Sequence, residues 1–398
     1  MKLQILAWTA MAGLSLFAFQ NCGGGFEAIP GTTLSSSLGN SDLSNETSNP
    51  SPAPVRTTFF FGRSAGIDGI ELNSQTSQVT ELGSSVFQGS HVGWFGFDES
   101  TKTLLAAEEG TSRRLQTYTY NTNSQTLTSR DLFAIAASTV HLTLLKTVQE
   151  VFLFGSSYDQ GRLDSYKLNN DLTTIENAQN ISFGSSAKAH SSAFDPRRNL
   201  LFVATLGLNR ISIYRFDRIN GLTAAGQVTV NAPRTVVYDS TYDKLYVATE
   251  ASSGNSAIYA YAIIENNGSY SLSNVGSVSM PLRGADLKVN HAFGYVMATA
   301  RQSGQEAIWG MPVTEQGVQD HLRPNFSIPI SQVEPRSLEL SADGRFAIVA
   351  MNSSGSANVL VYALNFTNDK SFLSSQIIWS KRFGNYGIVS SIAIPANQ

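Results

Sequence analysis

His190-Ser-Ser-Ala-Phe-Asp195, the turn Pro196-Arg-Arg-Asn199 and Leu200-Leu-Phe-Val-Ala-Thr205 are followed by Arg210-Ile-Ser-Ile-Tyr-Arg-Phe-Asp217, a second turn at Arg218-Ile-Asn-Gly221, and a further run from Leu222. Each run is short, rich in β-branched and aromatic residues and bounded by Gly, Asn, Asp or Pro, the signature of strands joined by tight turns. Four strands make one unit, and the unit recurs. Copies begin at Val92, Val140, His190, Arg234, Gly284, Arg336 and Ile388, at intervals of 48, 50, 44, 50, 52 and 52 residues. The second strand ends 15 residues after the start at Ala107, Thr205, Thr249, Thr299 and Met351. Four antiparallel strands repeated at this period are what a β-propeller blade requires, because each blade buries its faces only against its neighbours. The last copy, Ile388 to Ile394, has room for one strand, whereas Thr57-Thr-Phe-Phe-Phe-Gly62 reads as the second strand of a blade that lacks its first. Joining them predicts an all-β, seven-bladed β-propeller over residues 57–398, closed by pairing of its N- and C-terminal strands. A pair of β-sandwiches would also show strands about every 8 to 12 residues, but not one spacing kept over seven copies.

The composition agrees with turn-rich β structure. The chain has 398 residues with 42% hydrophobic side chains, 32 glycines and only 14% charged residues, against roughly a quarter in an average soluble domain. Its net charge of -3 argues against a basic groove for nucleic acid, which needs clustered Lys and Arg. At the N-terminus Lys2 precedes an apolar run from Ile5 to Phe19, too short to span a bilayer comfortably but right for the core of a signal peptide. The sole cysteine, Cys22, follows at once. An unpaired thiol there resembles a bacterial lipoprotein processing site, although Phe19, Gln20 and Asn21 replace the usual Leu and small residues before it. We therefore expect a signal peptide at residues 1–21, lipidation of Cys22, and a Gly/Ser/Pro-rich tether at 22–56 with a reach of about 30 Å. The protein should be exported and held in the cell envelope, anchored by lipid to a bacterial membrane, periplasmic or outer. A single chain, a monomer, suffices for the ring.

His190-x-x-x-Phe-Asp-Pro-x-x-x-Leu-Leu-Phe-Val-Ala204, Pro233-Arg234 before Val-Val-Tyr-Asp239, and Pro335-Arg336-Ser-Leu-Glu-Leu-Ser-Ala-Asp-Gly344-Arg-Phe-Ala-Ile-Val349 resemble the seven-bladed lactonase propellers, the family of bacterial 6-phosphogluconolactonase and fungal carboxymuconate cyclase. The resemblance runs over roughly residues 57–394 and is strongest in the second half. Because the first two strands of a blade are antiparallel, the start of one and the end of the other share an edge of the ring. Two circles of side chains thus converge on one mouth of the central channel. His190, Arg234, Glu250 and Arg301 match the family's channel constellation of His, Arg, Glu and Arg. The resemblance implies an enzyme, of the carboxylic ester hydrolase type, that hydrolyses or isomerises a small anionic lactone without metal or organic cofactor. His190 would move protons, with Glu250 orienting it or serving as the partner acid/base, while Arg234 and Arg301 grip the anion and developing oxyanion. Arg336 and Glu108, on the same circles, are further substrate-binding candidates. Thr235, where many relatives carry a second histidine, and Ala187-Lys188-Ala189 before His190 depart from the family pattern.

Other candidates carry less. His91 shares the expected mouth with Glu108; His141, His291 and His321 lack metal-site spacing; Glu108-Glu109 with Arg113-Arg114 reads as a solvated loop. Gly66-Ile-Asp-Gly69 lacks the lysine of a phosphate loop. The rival to an enzyme is a non-catalytic propeller presenting its faces to an envelope protein or glycan. A channel mouth that brings His190, Arg234, Glu250 and Arg301 within reach of one ligand would favour the enzyme.

Overall fold

The computed structural model describes residues 55–395 except 354 and 386, so the expected signal peptide, Cys22 and nearly all of the tether lie outside the described residues. The remainder forms seven antiparallel sheets arranged in sequence around a ring. Six are built from consecutive strands. The blade decoded first from sequence has strands Ala189–Asp195, Leu200–Thr205, Arg210–Asp217 and Gly221–Thr229, in that order from the axis outward. Leu200–Thr205 is buried on both faces, which explains its unbroken apolar run; Gly221–Thr229, at the rim, alternates toward solvent.

The seventh blade is composite, as the sequence predicts. Ser390–Pro395 pairs with Arg56–Arg63 in a register running from Thr57↔Pro395 to Gly62↔Ser390, and Gly66–Asn73 and Gln78–Glu81 complete the sheet outward. Phe59, Phe60 and Phe61 are each at most 1% exposed. Their alternation sends Phe59 and Phe61 against Ile348 and Ala350 of the sixth blade, and Phe60 against Val92 and Phe95 of the first. Each innermost strand touches the next, and Ser390–Pro395 meets Val92–Asp98, leaving no open seam.

Two backbone devices shape the pocket end of the ring. Four blades carry a residue in the left-handed region immediately before the innermost strand, with φ of 51° at Lys188, 44° at Ala232, 64° at Arg283 and 57° at Glu334, a costly conformation for a residue with a side chain. The carbonyls of these residues accept the backbone N–H of the residue leaving the second strand: Leu206, Glu250, Arg301 and Asn352, at 2.8 to 3.2 Å. Glu109 makes the same bond to the His91 carbonyl at 3.1 Å. The second device is a β-bulge at the start of the inner strand in five blades, containing Gly93, His190, Arg234, Ala285-Asp286 and Arg336. An extra residue in a bulge is unpaired and re-aimed.

Candidate functional site

The bulged side chains and the strand-exit side chains meet in a cavity of about 310 Å³ at one end of the channel. His190, Arg234, Glu250, Arg301 and Arg336 all line it, so the structure brings together five residues singled out in the sequence. Glu250 is the hub. Its carboxylate accepts a bond from Arg234 Nη1 at 2.5 Å and another from Arg301 Nη2. Burial alone would raise the Glu250 pKa, but the two guanidiniums outweigh it and hold the group below its ordinary value. The Arg301 side chain is 1% exposed. Burial disfavours its charge and Arg234 adds to that, with Glu250 as the compensating anion.

His190 is oriented differently from the sequence expectation. Glu250 does not hold it, since both carboxylate oxygens are bonded to arginines; instead the imidazole stands edge-on to Tyr158, with centroids 5.7 Å apart and planes at 81°. Lys188 Nζ lies 5.3 Å from the centre of that same tyrosine ring. Burial lowers the His190 pKa well below 6.5, and Arg234 and Arg301 push in the same direction. The imidazole is therefore neutral at pH 7 and able to accept a proton. Proton transfer by Glu250 fits the geometry less well: a carboxylate spent on two guanidiniums is a weak base and a good anchor.

Glu108 is not at the cavity. It is fully buried and accepts bonds from Ser90 N (2.9 Å), Ser90 Oγ (2.6 Å) and Arg114 N (3.1 Å). Equal repeat intervals place it on the exit circle, but Val92 pairs with Glu108 before the bulge at Gly93, so the residue equivalent to Glu250 is Glu109. Glu109 lines the cavity and is itself exposed, as are residues 111–113, so the stretch is a solvated loop from Glu109 onward with Glu108 buried behind it. His91 gives its carbonyl to this turn without lining the pocket.

The sequence also missed the floor. His141 and Trp94 lie with ring centroids 4.5 Å apart and planes tilted by 33°, and His141 Nδ1 accepts the Ser192 N–H at 3.4 Å, which places the ring proton on Nε2. Burial, then the nearby Lys288, pushes the His141 pKa down to about 3. Below it Lys288 and Glu339 form a buried pair at 3.1 Å. Burial pushes Glu339 up to about 7 against the pull of Lys288. Asp286, on the cavity wall, accepts the Leu338 and Leu287 N–H groups at 3.0 and 2.8 Å. The signal was present, as His141 follows the repeat start at Val140, but a histidine there is indistinguishable in sequence from a core histidine. Among the described residues no group of His, Cys, Asp and Glu is arranged to hold a metal ion.

The chain matches the family described as "Lactonase, 7-bladed beta-propeller" over residues 55–370. It belongs to the lactonase propeller family. Solved structures bear out this fold. A protein of Bacteroides fragilis provisionally named a 6-phosphogluconolactonase shares 15% identity at a TM-score of 0.69, with 87% of this chain and 100% of that one covered. A periplasmic gluconolactonase of Pseudomonas aeruginosa shares 17% identity at a TM-score of 0.71, over 83% and 98%. A second Bacteroides protein with the same provisional name, from Bacteroides uniformis, shares 14% at 0.67, over 86% and 100%. No curated protein sequence matches the chain. Within this lactonase propeller, the one wall of arginines is contributed by the fourth, fifth and sixth blades, and the histidines and free acids by the first three.

Proposed function

We propose that the cavity opens a small anionic lactone by hydrolysis. The observation that carries this reading is a pair of unsatisfied donors on the arginine wall. Arg234, Arg301, Arg336 and Arg283 face one side of the cavity; Glu250 pairs with Arg234 and Arg301, and Glu334 with Arg283 and Arg336, yet the Nε donors of Arg301 and Arg336 are buried without a partner among the described residues. Buried donors without acceptors are costly, and a bound carboxylate or phosphate would supply the acceptors in fork geometry. Neutral His190 takes a proton from water as its oxygen attacks the lactone carbonyl. The guanidiniums held by Glu250 then stabilise the charge that develops on the carbonyl oxygen. A purely scaffolding propeller has no need of this concentration of charge in one cavity, all of it supplied by a single chain.

His190→Ala should lower kcat about 10²- to 10⁴-fold on glucono-1,5-lactone or its 6-phosphate, with folding intact by thermal denaturation. Because His190 titrates below 6.5, the basic form persists on acidification, so kcat/KM should hold as pH falls through 6.5 and decline only lower. Unchanged turnover in His190→Ala would remove the assignment.

The same proposal covers export and anchoring. The apolar run after Lys2 and the lone Cys22 support it, and so does the periplasmic location of the Pseudomonas structural neighbour. Among the described residues no helix is long and apolar enough to cross a membrane. Cys22→Ser should move the protein from the membrane to the soluble fraction; unaltered fractionation would rule out the anchor.

A further inference from the structure

We propose that Glu109 is a second proton-transfer residue of this cavity, the general acid that delivers a proton to the ring oxygen of the lactone as the ester bond breaks. This rests on the hydrolase reading above and adds a group that neither the family resemblance nor the repeat pattern assigns. Its backbone is fixed by the strand-exit bond to His91, the bond that also fixes Glu250 and Arg301. On one side Glu108 is tied to Ser90 and Arg114, and on the other Gly110 N donates to Ser138 Oγ at 3.0 Å. The bulge position that holds His190, Arg234 and Arg336 in other blades is here Gly93, where an added Cβ would lie 2.4 Å from the Thr139 carbonyl oxygen and 2.6 Å from Glu109 Cβ. The missing side chain leaves that sector of the wall to Glu109.

What distinguishes this carboxyl is that its backbone is fixed while its oxygens are spent on nothing. Among the described residues it makes no hydrogen bond and no ion pair within 4 Å, in contrast to Glu250 with two guanidiniums and Asp286 with two backbone donors. It remains reachable by water in the open cavity. Surrounding protein nevertheless raises its pKa, with Asp159 adding to the effect and Arg336 and Arg234 opposing it. A carboxyl whose pKa is raised, on the wall of the cavity, is suited to donating a proton.

The steps balance. Water loses one proton to His190 and adds to the carbonyl carbon. The tetrahedral intermediate expels the ring oxygen, which takes the Glu109 proton to become a hydroxyl. The proton on His190 then returns to Glu109 through water, and the net change is one lactone and one water to one hydroxy acid.

The test compares wild type, Glu109→Gln, Glu109→Asp and His190→Ala on glucono-1,5-lactone, its 6-phosphate, and 4-nitrophenyl acetate, whose leaving group needs no proton. Expected for Glu109→Gln is a fall of about 100-fold or more in kcat on the lactone, loss of the alkaline limb of the pH profile, a much smaller effect on the aryl ester, and partial rescue in Glu109→Asp. An active wild type with Glu109→Gln within twofold in kcat and unchanged in pH profile would overturn the role of Glu109 while leaving the hydrolase. So would a change confined to KM, which marks an electrostatic gate. Lactone turnover no different in wild type and His190→Ala would overturn both.

Discussion

Replacing Glu250 by alanine should cost about 3 kcal/mol of unfolding free energy and abolish lactone turnover. The figure is at the lower end of the cost of breaking a buried ion pair, because water in the cavity reaches 20% of the Glu250 side chain. The penalty arises chiefly from what is left behind. Arg301, 1% exposed, keeps its charge and loses its anion, and Arg234 stands next to it as a like charge. A double variant therefore separates mechanisms. If the uncompensated cation is the cost, adding Arg301→Met to Glu250→Ala should recover part of the stability that the single variant loses. Chemical denaturation of wild type, Glu250→Ala, Arg301→Met and the double variant reads the result, and a Glu250→Ala protein within about 0.5 kcal/mol of wild type, as for an ordinary surface change, would show that the pair contributes nothing to the fold.

Removal of the closing strand should be more drastic. A chain ending at Val389 lacks every partner of Arg56–Arg63 on its axial side and loses Ile392 and Ile394, which are 7% and 2% exposed. Burying each such side chain is worth roughly 1.5–3 kcal/mol, and the strand also supplies the ladder bonds that join first blade to last. We expect no cooperative thermal transition. Ile394→Ala tests the same contact in a folded protein, with an expected loss of about 2–5 kcal/mol, whereas Leu322→Ala, 96% exposed, should stay within about 0.5 kcal/mol. A truncated chain that still melts sharply would mean that the ring does not depend on its clasp.

The ring was legible in the sequence because its cause is periodic: each blade must repeat the same apolar runs to cover its neighbours, and the leftovers at Thr57–Gly62 and Ile388–Ile394 add to one blade. The arginines and His190 were legible because they interrupt otherwise apolar strand ends. The exchange of Glu108 for Glu109 was not. The bulged residue precedes the exit residue by the same interval in this blade as in the others, but here it is Gly93, which carries no side chain to mark it, so a count begun at Val92 arrives one residue early. The role of Glu250 was hidden for another reason. Its two partners are 16 residues before and 51 residues after it, and only the circular arrangement shows that both reach the same carboxylate. The Lys288–Glu339 pair shares this property, since its two members lie on the inner strands of adjacent blades.

The composite blade also fixes the end of the ring from which the preceding chain departs. Gly62 and Ser390 are paired at the pocket end, so Arg56 and Pro395 emerge at the opposite end of the ring. A protein attached to a surface through the chain preceding Arg56 is therefore held from the face opposite the cavity, so the point of attachment does not itself obstruct the mouth through which a small molecule enters.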